Sequence, residues 1–449
     1  MSLKAITEKN FKGIKSTAIR KSMSMDSRPD FGMESFRYDS VEISESFSTS
    51  PSNFIEYEYQ NEIRPYFSKA GVNEHRIGTH PELAMLNGLN TTHSQYVVTM
   101  FIDIRKSSRL SLLLPLEQAY IVKNRILQAC IDIVRALDGY PHRLMGDALM
   151  AFFGRSDVLK ENAIADAINA ASTLRLILTD YIFPSLNDDL GTDIDLGVRI
   201  GLDYGSENEV IWGNFGLGES CEVTALGLPV DMTAKLQQLA DKNTAMLGQG
   251  ILDYVDFPNE YTKYKLRSGD IMRYVEPNIT DGNGKSIDRR IKLLDMNAYQ
   301  DLLPFKLNDK KMASSVLYPN HFSFQCFTIN NEVEVEYKSL SVFLSKHKLI
   351  KFKLKIFPGI DKLNITFCKR NHGKEAGDDL AEDLNVSLTN GLLQKQNGAD
   401  RVYLESHLGF QTLIVPEATS FRGLHTMEVI IRGEGASIFY RNIIGVYIL

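Results

Sequence analysis

Cysteine is scarce, with only Cys130, Cys221, Cys326 and Cys368 in 449 residues. None stands in a CxxC pair or at zinc-finger spacing to histidine. That excludes a disulfide framework and a cysteine-built zinc site, and predicts reduced thiols that fill the core of a cytoplasmic protein. Long apolar runs are also missing. Nothing approaches the roughly 20 residues of a membrane helix, and the opening MSLKAITEKNFKGIK has no apolar centre of a signal peptide. No membrane partner is therefore expected. A basic excess is absent too: 50 Lys and Arg face 56 Asp and Glu, a net charge of -6 that argues against nucleic acid as a partner.

What is present is a chain with 43% hydrophobic residues, enough to build proper cores, and long enough for about two or three domains. The stretch around which it is organised is VVTMFIDIRKSS, Val97 to Ser108. A β-branched apolar run ends at Asp103, and a basic, serine-containing turn then opens a helical pattern. A carboxylate at a strand end, followed by a helix N-terminus, suits a divalent cation held between protein and phosphate. Farther on, HRLMGDALMAFF (His142 to Phe153) reads as a hairpin with Asp147 at its tip. The intervening amphipathic segment lets the chain return beside its starting strand. Singly, each Asp also reads as an ordinary strand-end or turn residue. Together, two carboxylates at adjacent strand ends repel unless cations lie between them, which is the basis of a two-metal site.

Residues 1–55 are polar and serine-rich and read as a mobile or loosely attached arm. Ser107 and Ser108 are cap candidates for a first helix, which Pro115 breaks or restarts. Ala119, Val122, Ile126, Cys130, Ile133 and Leu137 recur at helical spacing up to a stop at Gly139. A second buried stripe holds Ile164, Ala167, Ala171, Leu174 and Leu178. Strands are expected at Asp195–Leu202 and Val210–Phe215. The β-α-β-β-α-β order with a final helix predicts a ferredoxin-like α/β (α+β) domain across 56–305. Residues 306–315 read as a linker. From 316 to 449, short alternating runs separated by turn residues predict an all-β, sandwich-like domain, with EAGDDLAEDL (Glu375 to Leu384) as a possible helical insert.

FIDI, the hairpin GD, VRIGLDYG (Val198 to Gly205) and TALGLPVDMTAKL (Thr224 to Leu236) resemble, in order, the motif blocks of class III nucleotide cyclases. The later ITFCKRNHGKEA and FRGLHTMEVIIRGEGASIFYRNIIGVYI resemble the C-terminal sensor-type domain of bacterial antiphage cyclases and nucleotidyltransferases. The resemblance implies closure of a nucleoside triphosphate to a 3′,5′-cyclic monophosphate with release of diphosphate. It further implies two divalent cations (Mn2+ or Mg2+) held by Asp103, Asp147 and the carbonyl of Ile104, in a homodimer whose active sites lie at the interface. Arg105, Lys106, Ser107 and Ser108 would face the phosphates, though an exposed basic residue is as readily just solvated. Phe101 stands two residues before Asp103 on the same strand face, as pocket wall or as core.

Where adenine-selecting members of the family carry Lys, this chain has Arg143, and the second selecting position is Thr224. A donor-only guanidinium suits carbonyl acceptors such as uracil O4; an ion-pair role is the alternative. Where the family places an Asn and an Arg on a helix to stabilise the transition state, this chain has Asp231 and Lys235. That pairing is also an ordinary i,i+4 helix pair. Arg199 reads as structural. These departures look similar to the pyrimidine cyclases of Pycsar antiphage systems, with UTP favoured and cyclic UMP acting on a separate effector. A GTP or ATP cyclase and an inactive nucleotide sensor of the same fold are the alternatives.

Overall fold

The computed structural model describes residues 2–14, 54–218, 220–275, 280–284, 287–305, 317–360, 362–377, 381–396, 398–407, 409–433 and 437–449. The linker expected at 306–315 and most of the expected arm lie outside this set. The described start of the arm corrects the expectation. Helix α1 (Leu3–Phe11) is capped by Ser2 and buries Leu3, Ile6 and Phe11, with Ile14 just beyond, in the main core. Its apolar stripe is only three turns long, too short to stand out among polar neighbours. Thr7 hydrogen-bonds Tyr59 at 3.0 Å in helix α2 (Glu58–Ile63), fixing the segment to the body.

Strand β1 (Thr92–Ser94) precedes β2 (Val97–Arg105), and helices α3 (Ser108–Leu113) and α4 (Leu116–Ala136) follow. Next come β3 (Tyr140–Met145), β4 (Ala148–Phe153), α5 (Lys160–Ile177), α6 (Phe183–Leu190) and β5 (Gly197–Gly205). The hairpin β6 (Ile211–Leu217) and β7 (Ser220–Leu226) leads into α7 (Leu228–Leu239), β8 (Thr244–Gly248) and α8 (Gln249–Tyr254). Short strands β9 (Thr262–Lys263), β10 (Lys265–Arg267), β11 (Asp270–Met272) and β12 (Ile291–Leu294), with α9 (Met296–Gln300), complete this part.

The central sheet runs β3-β4-β2-β5-β8-β12-β9, and its first four strands have the ferredoxin-like order. β2 lies antiparallel between β4 and β5, while β8 joins β5 in parallel through α7. The period of two along β2 sorts its side chains cleanly. Val98, Met100, Ile102 and Ile104 pack under α4 and α5, where the expected stripe from Ala119 to Leu137 is buried throughout. The odd-numbered residues face the other way. There Val97 joins Met150, Phe152 and Trp212 in a separate cluster against which Phe101 packs. The helix stop is shared by two residues. Asp138 takes the left-handed conformation (φ 58°), and a Cβ on Gly139 would collide with Val134 and Phe153.

Helix α7 lies across β5 at Gly201, where an added Cβ would run into the main chain of Thr233 and Gln237. Gly201→Ala is expected to destabilise the chain by about 1–3 kcal/mol through overpacking. Thermal unfolding tests this, and an unchanged midpoint would show that the helix stands off the sheet.

The remaining strands form two sheets. One orders β14 (Val333–Tyr337), β13 (Phe322–Asn330), β16 (Leu349–Ile356), β21 (Phe410–Ala418) and β20 (Tyr403–His407). The other orders β15 (Phe343–Leu344), β23 (Ile438–Ile448), β22 (Gly423–Arg432), β17 (Leu363–Arg370), β18 (Ala381–Thr389) and β19 (Leu392–Lys395). Phe324, Phe352 and Leu413 of the first meet Phe367, Val386 and Val429 of the second in one core, a β-sandwich. The helical insert expected at Glu375–Leu384 is corrected: Ala381 onward is β18, paired along β17. Buried Leu384, Val386 and Leu388 alternate there, a period that the preceding acidic residues mask. The sandwich joins the main core through Phe343, Leu424 and Tyr447, and the Tyr447 and Tyr299 hydroxyls meet at 2.8 Å.

Candidate active site

The β3–β4 hairpin closes through a two-residue loop, since Met145 pairs with Ala148. Gly146 takes φ 66° in this loop, a conformation that glycine supplies without strain. Asp147 follows at the tip. In register, Asp103 stands opposite Ala148 on one side and opposite Arg199 on the other. Asp147 therefore lies one position beyond the residue paired with Asp103, where the backbones of β2 and β4 run about 5 Å apart.

Each carboxylate is met by a protein donor. The guanidinium of Arg199 donates through Nε (3.0 Å) and Nη2 to Oδ2 of Asp103. The Ser107 hydroxyl donates to Oδ2 of Asp147. Among the described residues neither Oδ1 accepts a hydrogen bond, and no cluster of three or more His, Cys, Asp or Glu forms a fuller metal cage. The groups that would hold a cation here are the two carboxylates and the carbonyl of Ile104, which also accepts from the Ser107 amide at 3.2 Å, all oxygen. That set suits Mg2+ or Mn2+, which complete their octahedra with water and substrate phosphate.

The same face carries the other candidates. Arg143 on β3 is opposite Met150, which is opposite Phe101, which is opposite Gly201. Phe101 is half-buried beside the Trp212 cluster and one residue pair from the carboxylates. Arg143 forms an ion pair with Glu222 of β7, both side chains about two-fifths exposed. Thr224 lies two residues on, on the same side of β7 as Glu222.

Of the four turn residues that the resemblance sets against the phosphates, Ser107 is the one that reaches the carboxylate pair. Lys106, at φ 64°, reaches away to Asp195, which it shares with Lys242. Those two ammonium groups hold the Asp195 carboxyl well below the usual range. Arg105 is exposed at the end of β2 and Ser108 is exposed at the start of α3. Ser107 makes no capping bond with its side chain, because its hydroxyl serves Asp147 instead.

Helix α7 turns Val230, Thr233 and Gln237 inward. At 100° per residue, Asp231 and Lys235 each lie two positions from Thr233 and point to the opposite side. Asp231 is exposed and Lys235 half-buried.

Two residues gain significance from the fold alone. Arg199 stands between apolar Val198 and Ile200 in β5, a signal that it needs a carboxylate, and the partner it finds is Asp103 rather than the buried Asp203 of its own strand. Glu222 carries no sequence signal, since its meeting with Arg143 depends on how the β6–β7 hairpin lies over the sheet.

A ferredoxin-like sheet that brings an Asp at the end of its first strand beside an Asp in the adjoining hairpin has the make-up of a phosphoryl-transfer site, and the order of the motif blocks makes the class a class III nucleotide cyclase. Comparison with known proteins narrows the class. A cytidylate cyclase of Escherichia coli is 68% identical over the full length of both chains. A second cytidylate cyclase of Escherichia coli is 32% identical over 83% of this chain and 79% of its own. The chain belongs to this family of cytidylate cyclases, the pyrimidine type of class III nucleotide cyclase. Residues 304–449 match the adenylyl/guanylyl and SMODS C-terminal sensor domain. Among solved structures, the adenylyl cyclase CyaB from P. aeruginosa aligns over 45% of this chain and 95% of its own, with 18% identity and a TM-score of 0.37. Among the described residues no helix is long and apolar enough to cross a membrane.

Proposed function

We propose that this chain converts CTP to 3′,5′-cyclic CMP and diphosphate. The observation that carries the choice of base is the Arg143–Glu222 pair, read beside the 68% identity to a cytidylate cyclase. Arg143 taken alone favoured uracil. With Glu222 on the guanidinium, the pocket presents an acceptor next to a donor. Cytosine offers the complement: its N4 amine donates to Glu222, while N3 and O2 accept from Arg143. Shifted by one ring position, the same pair meets O4 and N3–H of uracil, so UTP is the second reading. The whole-chain relatedness to a cytidylate cyclase supports CTP as the first reading.

Bound Mg2+ or Mn2+ would acidify the ribose 3′-hydroxyl and neutralise the triphosphate. The residues of the chain do the rest. Asp103, Asp147 and the Ile104 carbonyl hold the cations, with Arg199 and Ser107 fixing the orientation of the two carboxylates. Phe101 and Thr224 wall the nucleoside, and Arg143 with Glu222 reads the base. The product would serve as a second messenger for a separate effector in antiviral defence, a role supported by the sensor-domain match over residues 304–449.

The site is shared between two copies of the chain. Asp231 and Lys235 face away from the sheet that carries their own carboxylates, so they complete the site of a partner, with Lys235 supplying positive charge to the transition state and Asp231 orienting it. Exposed Leu217 and Phe215 on the β6–β7 hairpin give a second copy an apolar surface to cover. Mixing Asp103→Asn with Lys235→Ala chains is expected to restore roughly a quarter of wild-type turnover, since half the dimers are mixed and each has one complete site. No recovery above the separate variants would refute a shared site.

A further inference from the structure

A cleft of about 580 Å3 opens far from the carboxylate pair, where the cyclase sheet, the segment after α2 and the β-sandwich meet. Its floor is the base of the β3–β4 hairpin, at Tyr140, Phe153, Gly154 and Arg155. Its walls include Lys69, Asp166 of α5 and, from the sandwich side, Val342.

The chemistry of the floor is unusual. The Lys69 ammonium bridges Asp138 at 2.8 Å and Asp166 at 2.9 Å, both through Oδ2. Asp166 is 6% exposed, yet its Oδ1 has no hydrogen-bond partner among the described residues. A buried oxygen left this way costs about 1–3 kcal/mol. Burial pushes the Asp166 carboxyl up to about 6, although Lys69 opposes the shift. The site thus lacks a donor. At the rim stand His75, edge-on to Tyr140 at 5.1 Å, and the guanidinium of Arg155, whose side chain is 38% exposed. Acceptor within, aromatic wall beside it and an arginine at the mouth match a nucleotide: an amine or imide N–H on Asp166, and a phosphate at Arg155, shared there with Asp157; His75, whose pKa burial lowers, stands beside it as a neutral imidazole.

The position matters as much as the chemistry. The strands that begin and end at this cleft carry Arg143 within β3 and Asp147 at the far tip, some 20 Å away at about 3.3 Å per residue. Asn162, also lining the cleft, accepts from the Phe343 amide at 2.8 Å and so ties α5 to the first strand of the sandwich's second sheet. We propose that this cleft is a second, regulatory nucleotide site, through which the sensor-type region and the β3–β4 hairpin act on each other. The proposal rests on the cyclase reading only for its effect on turnover; the binding itself stands apart.

The test uses the full chain in EDTA, titrated calorimetrically with CMP, UMP, AMP, GMP and cyclic CMP. Arg155→Ala removes the rim cation, and Val342→Trp fills the cleft from the sandwich side. At least one probe is expected to bind saturably, at least tenfold more weakly to both variants, and to change wild-type turnover at saturating CTP at least twofold. Three results would overturn the proposal: no saturable binding of any probe; binding unchanged by both variants but lost in Arg143→Ala, which would place it in the active site; or binding with no change in turnover. If the chain cyclises no nucleotide, the binding results still decide the site.

Discussion

Asp103→Asn and Asp147→Asn should each lower cyclisation by about a thousandfold or more. The cations supply several kcal/mol of transition-state stabilisation, and each 1.36 kcal/mol is tenfold in rate. Among the described residues, the two carboxylates are the acidic side chains that the sheet brings to this point. Asp103 pairs with Ala148, the residue that follows Asp147 out of the hairpin loop, and each carboxylate keeps one oxygen clear of protein donors among the described residues. Asparagine preserves the shape and the acceptor oxygen, so the fold should survive, as a circular dichroism spectrum can verify. The loss should be larger than for a group that only orients the carboxylates. Ser107→Ala removes one donor to Asp147 and should cost about ten- to a hundredfold. If either Asp variant retained more than a few per cent of wild-type turnover, that residue would be removed from the cation site.

The second large effect concerns base choice. Glu222→Gln is expected to reduce the preference for CTP over UTP by about ten- to a hundredfold, since a well-made polar contact to a base edge is worth roughly 1–3 kcal/mol of discrimination. The amide still fills the space, but it presents an N–H where the carboxylate presented only acceptors. Arg143 then loses its counter-charge and is free to favour carbonyl oxygens, so the change should fall mainly on CTP. Competition between the two nucleotides in one vessel gives the ratio of kcat/KM values directly. A ratio that does not move would show that Glu222 only neutralises Arg143.

Much of this was legible before any coordinates. The stripe on α4 announced itself by spacing, and every residue in it is buried. The hairpin was readable because glycine and Asp occupy its two loop positions, and the two Asp residues were readable as a pair because the amphipathic helix between them returns the chain to its start. What was hidden depends on non-local register. Arg199 meets Asp103 only because β5 pairs with β2 at that step. Glu222 meets Arg143 only because β7 folds back over the open face. The resemblance sets Lys106 against the phosphates, yet its left-handed backbone sends the side chain to Asp195. Ser107 read as a cap, and instead its hydroxyl found the more demanding acceptor. At the N-terminus the signal was real but brief: four apolar positions over three turns carry little weight until the surface they cover is known.

The most direct test offers purified chain each of the four nucleoside triphosphates with Mg2+ or Mn2+ and identifies the products by mass spectrometry. The expected main product is 3′,5′-cyclic CMP, formed faster from CTP than any cyclic nucleotide from UTP, GTP or ATP. Faster conversion of UTP or of a purine nucleotide, or no cyclic product from any of the four, would contradict the CTP reading.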